Sequence, residues 1–276
     1  MIRKLMLMLS LVMLSLFGIS AQSLPEPLVE YSFNGTGSEV VSTGKYEFPL
    51  KLVTAKGDTD LHSRAGMGVS GQPNDRAFDN TKASRMGQRG TGYGRAVSQE
   101  KWLDVIGFQQ SLTIQGWFKA ENPFDAGAVL SVVPGVFDLR HTSNVQGVLR
   151  FMTYHKTLVN ATSPPVYNRV GEWVFYAITW DGSKTKDNVK FYMGSTREAV
   201  RLISTASLDV PMEYDNNSHF FIGDTNVGDP NTNFTRPFDG YIDNVRVYGS
   251  EYDGAGILTL EQLEEIRTGD LALSAN

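Results

Sequence analysis

The chain has 276 residues, a formal net charge of −5 at neutral pH, 20% charged residues and no cysteine. Lacking cysteine, it can have no disulfide framework, thiolate metal site or cysteine nucleophile. Its lysines and arginines are scattered rather than clustered, so the basic footprint of a nucleic-acid-binding protein is missing.

In chain order, Met1-Ile2-Arg3-Lys4 precedes an apolar run over residues 5–19 and the small residues Ser20 and Ala21. This is the order of a secretory signal peptide, and cleavage after Ala21 is expected to release residues 22–276 as one domain, to the periplasm, the cell surface or the medium. The run is shorter than the roughly 20 residues of a spanning helix, and no later segment is long and apolar enough, so no membrane span is expected after cleavage.

From residue 28 onward, short apolar or alternating runs are separated by Gly, Asn, Asp and Pro, the pattern of strands and turns. Strands are predicted at residues 28–33, 111–120, 128–133, 147–154, 172–180, 188–193, 219–223 and 239–248. In 172–180, Val174, Tyr176, Ile178 and Trp180 alternate with Trp173, Phe175, Ala177 and Thr179. Both faces are apolar enough to be covered, as in an inner strand. In 239–248, Tyr241, Asp243, Val245 and Val247 oppose Ile242, Asn244, Arg246 and Tyr248, and one face is expected to be partly wet.

Residues 58–99, rich in Gly, Ser, Arg and Asn, are expected to form long surface loops around a short strand at Ala77-Phe78. The one predicted helix after the signal is 259–267, with Thr259 and Gln262 as a capping box and Gly269 beyond its end. Its Leu260, Leu263 and Ile266 form a stripe that should dock on the sheets. Many strands and no central helix predict an all-β, two-sheet sandwich or barrel.

Three segments carry a family resemblance: Ser111-Leu-Thr-Ile-Gln-Gly-Trp117-Phe-Lys119; Gly171-Glu-Trp-Val-Phe-Tyr-Ala-Ile-Thr-Trp-Asp181-Gly182 followed by Val189-Lys-Phe-Tyr-Met-Gly194; and Phe238-Asp-Gly-Tyr-Ile-Asp-Asn-Val-Arg-Val-Tyr248. In order and spacing they resemble the laminin-G-like subset of the concanavalin A-like lectin and glucanase superfamily. Asp75-Arg-Ala-Phe-Asp79 is a weaker echo, and residues 82–104 depart from the pattern. The resemblance implies an antiparallel jelly-roll sandwich with one short C-terminal helix and a concave face that in relatives often carries the ligand.

That superfamily includes family 16 glycoside hydrolases, whose retaining mechanism needs two carboxyl groups about 5–5.5 Å apart on one face. No Glu-x-Asp-x-Glu or Glu-x-Asp-x-x-Glu run occurs; Glu251-Tyr252-Asp253 begins like one but leads into a glycine-rich turn. Nucleophile-elbow, Walker and His-Glu-x-x-His patterns are also absent. The expectation is a non-catalytic module that binds carbohydrate or glycoconjugate. An adhesive or structural protein that binds other extracellular proteins is the alternative, and a divergent glycoside hydrolase with its acids on loops is the third reading.

Sugar binding needs aromatic rings for stacking and polar side chains for hydroxyl groups; the candidates near loops or strand ends are Trp102, Arg150, Tyr154 and His155, with Tyr93. Trp117, Trp173 and Trp180 lie inside strands and are expected in the core. The resemblance further implies a structural Ca²⁺ on the convex side, with Asp243 as ligand and Glu30 or Asn34 as companions; Ca²⁺ takes six to eight oxygens, many from carbonyls or water. The runs Asp215-Asn216-Asn217 and 224–233 are oxygen-rich, though Asn and Asp favour turns for backbone reasons. The four histidines are dispersed, with no zinc-ligand spacing.

Overall fold

The computed structural model describes residues 23–81, 94–121, 128–141, 147–155, 157–164, 169–208, 217–225 and 236–272, with the side chains of 154–160 outside the described set. The strands run in chain order as β1 (Val29–Tyr31), β2 (Glu39–Val40), β3 (Leu50–Thr54), β4 (Gly57–Asp58), β5 (Phe78–Asp79), β6 (Gly94–Lys101), β7 (Ser111–Ala120) and β8 (Val129–Val133). They continue as β9 (Phe137–His141), β10 (Leu149–His155), β11 (Thr157–Thr162), β12 (Val174–Asp181), β13 (Val189–Ser195), β14 (Arg201–Ala206), β15 (His219–Ile222) and β16 (Gly240–Ser250). A one-turn helix α1 (Trp102–Val105) follows β6, a 3-10 turn spans Gly254–Gly256, and helix α2 (Leu260–Ala272) closes the fold.

Two antiparallel sheets form a sandwich. The seven-stranded sheet has the order β1-β16-β7-β12-β13-β14, with β5 also on β16; the nine-stranded sheet has the order β11-β10-β9-β8-β15-β6-β3-β2, with β4 on β3. Alternation along β12 explains its place at the centre. Val174, Tyr176, Ile178 and Trp180 enter the core between the sheets, while Phe175 and Ala177 enter a second cluster beneath α2. Within the main core His141 stacks edge-on to Phe118 at 5.2 Å, and burial depresses its pKa to about 3, so the imidazole is neutral there.

The alternation predicted for residues 239–248 does not hold along the whole strand, because β16 carries a bulge. Asp243 pairs with Trp117 and Arg246 with Gln115, so two residues of β16 stand against Gly116 alone. Asn244 absorbs the extra residue at φ 46°, a left-handed conformation that asparagine tolerates. Ile242 therefore shares the inner face with Val245 and Val247, and Asp243 and Arg246, three apart, share the outer one. That outer face is buried rather than wet, because α2 packs over it through Leu263 and Ile266 against Trp117, Phe175 and Tyr248.

The capping box forms as predicted: Gln262 donates its amide to Thr259 Oγ1 at 3.2 Å and Gln262 Oε1 accepts from the Thr259 amide at 2.9 Å. The helix runs on through Gly269, where open space surrounds the backbone, and Leu260 of the predicted stripe is exposed. Trp117 and Trp180 are fully buried, whereas Trp173 is half-buried at the rim, against Tyr241.

Candidate functional site

The two sheets differ in what their outer faces carry. Helix α2 packs on the outer face of the seven-stranded sheet, over Trp117, Phe175, Ala177, Tyr192 and Tyr248. On the nine-stranded sheet the register aligns Met152, Asp138, Val132, Phe221, Val97 and Lys51 across successive strands, with Arg150, Arg140 and Val129 in the next row. Residues directly paired in antiparallel strands point to one side, so these share the sheet's outer face, where all but Lys51 and Arg150 are buried. Val53, Val97, Val129, Val132 and Phe221 make a small apolar cluster within it.

Charged groups surround that cluster. The Arg95 guanidinium lies 5.6 Å from the centre of the Phe221 ring, a cation–π contact. Arg140 pairs with Asp138 in a fork, its Nε donating to Oδ1 at 2.6 Å and its Nη2 meeting Oδ2. These residues are buried, whereas Arg150, Lys51 and His219 are half-buried and form the accessible rim. His219 Nδ1 lies 2.8 Å from the Ser98 carbonyl oxygen, which orients its ring. Planar guanidinium forks and an imidazole are groups that meet hydroxyl or carboxylate oxygens directionally.

Of the residues the sequence singles out for sugar contact, the structure brings Arg150 to this face, directly across from Arg140. Tyr154 and His155 end the same strand, β10, with side chains outside the described residues, as is Tyr93. Trp102 is a correction. It is fully buried, with Phe48, Phe137 and Phe220 within 6.0 Å between ring centres, so no sugar ring can stack on it. It opens α1, and a turn of helix directs its indole into the core rather than to a loop surface. Asn217 donates to Asp104 Oδ1 at 2.7 Å and accepts the Leu103 amide at 3.1 Å. Asp224 accepts the amides of Thr225 and Arg236. Asp215, Asn216 and 226–233 lie outside the described residues.

The three residues considered for a cation do not converge. Glu30 binds Arg246 Nε at 2.5 Å and Thr43 Oγ1 at 2.9 Å, and Asn34 Oδ1 accepts the Arg76 amide at 2.7 Å. Both therefore leave Asp243 without their help; the side chain beside Asp243 is Asp75. The consecutive amides of Val69 and Ser70 donate to Asp243 Oδ2 at 2.9 Å and to Asp75 Oδ2 at 2.7 Å, which sets the carboxyl groups side by side. Asp243 is wholly buried, and burial first, then the Asp75 charge, raises its pKa well above the ordinary carboxylate range. Asp75 Oδ1 is buried with no hydrogen-bond donor. The backbone must come this close: a Cβ at Gly68 would stand 2.3 Å from Asp75 Cγ.

Asp243 Oδ1 also accepts the Asn244 amide at 2.8 Å, so Asp75 Oδ1 is the one oxygen of the pair with no hydrogen-bond partner, and Asp75 and Asp243 are the residues that could serve a cation as anionic ligands. Among the described residues no three His, Cys, Asp or Glu side chains gather at one point, so carbonyl and water oxygens would complete the shell. Asp75 lies in the segment that echoes the family pattern, which was the only sequence signal for its role.

A laminin-G-type family model described as concanavalin A-like lectin/glucanases superfamily matches residues 91–257. No curated protein sequence matches the chain. Among solved structures, the chain is similar to domain 4 of AbnA, a GH43 extracellular arabinanase from Geobacillus stearothermophilus, in complex with arabinotriose: 14% identity, TM-score 0.56, covering 88% of this chain and 98% of that one. It is also similar to the binding domain of botulinum neurotoxin DC in complex with rat synaptotagmin II, at 11% identity and TM-score 0.56, covering 89% of this chain and 52% of that one. A third is a structure of botulinum neurotoxin type C, whose cell entry depends on interaction with two ganglioside molecules: 12% identity, TM-score 0.54, 89% and 51%. The chain spans about half the length of those toxin chains, and at these identities the likeness concerns the fold.

Proposed function

Since the chain belongs to the concanavalin A-like lectin/glucanases superfamily, we propose that it is an exported, non-catalytic module that binds carbohydrate or glycoconjugate over the outer face of its nine-stranded sheet. The observation that carries this reading is the contrast between the two outer faces. Helix α2 packs on the first with apolar side chains; on the second, buried paired charges and apolar residues lie beside half-buried Arg150, Lys51 and His219. Similar folds that hold arabinotriose or meet gangliosides support the ligand class. Asp138 is bound by Arg140 and Asp58 by Lys51, which suits a ligand-ordering role better than proton transfer. The signal-like residues 1–21 support export.

A glycan-array screen of the protein starting at Gln22 tests the reading. Binding to one glycan class is expected. Arg150→Ala should weaken it about tenfold, the order of a lost charged hydrogen bond. Silence across the array would overturn the proposal in favour of a protein-binding role.

Calcium is proposed as a structural ligand of Asp75 and Asp243. Without a cation, the raised pKa of Asp243 means the folded state holds its proton more tightly than the unfolded state. Stability then falls as pH rises above the ordinary carboxylate pKa and through the raised one. Calcium at a hundredfold excess over its Kd should add about 2.7 kcal/mol near neutral pH, read as a higher melting temperature that a chelator reverses. Asp243→Asn should abolish that shift. Identical melting curves with calcium and with chelator would remove the ion from the account.

A further inference from the structure

Where β16 leaves its sheet, a cleft of about 230 Å³ is lined by Tyr46, Tyr252, Lys45, Gln109 and Glu251, among others. We propose that this cleft is a second carbohydrate subsite that takes one neutral sugar ring, with Tyr252 as its stacking platform. The inference rests on the glycan-binding reading above and adds a site apart from the sheet face.

Tyr252 is 84% exposed, the most exposed large hydrophobic side chain among the described residues. It does not sit on a loose loop. Ser250 Oγ and the Ala255 amide both donate to Asp253 Oδ1, at 2.5 and 2.9 Å. The 3-10 turn that follows is tied to β7: Ser111 Oγ donates to the Asp253 carbonyl at 2.7 Å, and Thr113 Oγ1 to the Gly256 carbonyl at 2.7 Å. The ring is thus presented to solvent from a backbone already held in place, which lowers the entropy lost on binding.

The opposite wall is equally fixed. The Tyr46 amide donates to the Leu28 carbonyl at 3.0 Å and the Lys45 amide to the Pro27 carbonyl at 2.8 Å. The Lys45 ammonium sits 5.0 Å from the centre of the Tyr46 ring. Space between the walls depends on Gly249, where a Cβ would lie 2.6 Å from Gln109 Oε1 and 2.8 Å from Leu28 Cδ1. The volume is below the roughly 300 Å³ at which drug-sized pockets begin, so it suits a single ring. A sugar ring has an apolar face and hydroxyl edges, matching tyrosine faces flanked by Lys45, Glu251 and Gln109, whose two opposite charges leave the cleft neutral.

The test is saturation-transfer NMR of the protein with free D-glucose, D-galactose, D-mannose and L-arabinose, alongside the glycan array, on wild type, Tyr252→Ala and Tyr252→Phe. At least one sugar should give transfer that Tyr252→Ala reduces about tenfold, in the manner of a truncated interface tyrosine, and that Tyr252→Phe keeps. Because Tyr252 is exposed, its variants should melt as wild type does. If glycans bind on the array and Tyr252→Ala leaves every signal unchanged, the cleft proposal fails while the sheet-face reading stands. If no sugar or glycan engages the wild-type protein, both fail.

Discussion

Arg246→Ala is expected to cost about 3–5 kcal/mol of stability, the usual penalty for removing one partner of a buried ion pair. Arg246 lies on the outer face of β16, with Nε on Glu30 Oε1 at 2.5 Å and Nη1 and Nη2 on the two carboxylate oxygens of Asp270, at 3.1 and 2.8 Å. Asp270 is 2% exposed and also accepts the Trp117 indole N–H at 2.8 Å. Burial raises the pKa of Asp270, and the Arg246 charge is the largest effect opposing that rise. Deleting the arginine leaves a carboxylate that must stay charged without a partner or take up a proton. The deficit should therefore shrink as pH is lowered, since protonating Asp270 removes the orphaned charge in the variant alone. Urea unfolding of both proteins across the acid range measures this. A deficit below about 1 kcal/mol at neutral pH, the scale of an exposed pair, would show that this network is solvated.

Trp102→Ala is expected to lose about 3–5 kcal/mol as well, by cavity formation. For a chain of this length that lowers the melting temperature by roughly 6–20 °C. The indole is fully buried at the meeting of Phe48, Phe137 and Phe220, two of them edge-on. Its Nε1 is buried with no hydrogen-bond partner, so Trp102→Phe should keep most of the stability, because no polar contact is lost. Thermal unfolding and glycan binding measured on the same samples separate core from site. Unchanged melting with lost binding would return Trp102 to the ligand surface.

Much of the sandwich was legible because hydrophobic alternation is a local signal. The predicted strand 111–120 coincides with β7, and 128–133, 172–180 and 219–223 differ from β8, β12 and β15 by one or two residues at an end. Strands β2, β3, β4, β6, β9, β11 and β14 went unread. In β6 the inward Ala96 and Ser98 and the outward Arg95 blur the alternation, yet all three are buried. Arg95 owes its burial to the outer face, where it lies over Phe221 of another strand, a contact no window of sequence contains.

Local sequence by itself determined the all-β class, the capping box of Thr259 and Gln262, and the burial of Trp117 and Trp180, since each depends on side chains a few residues apart and on the twofold or 3.6-fold repeat of the backbone. The tertiary structure decided the rest. It put Asp75 beside Asp243 through the amides of Val69 and Ser70, joined Arg246 to Glu30 and Asp270, and assembled Tyr46 and Tyr252 into one cleft. Those pairings join residues far apart in the chain, and one of them turns on a bulge at Asn244 that reverses the facing of β16. Electrostatic partners and cleft walls act through space, so they exist only once the sheets have closed on their core.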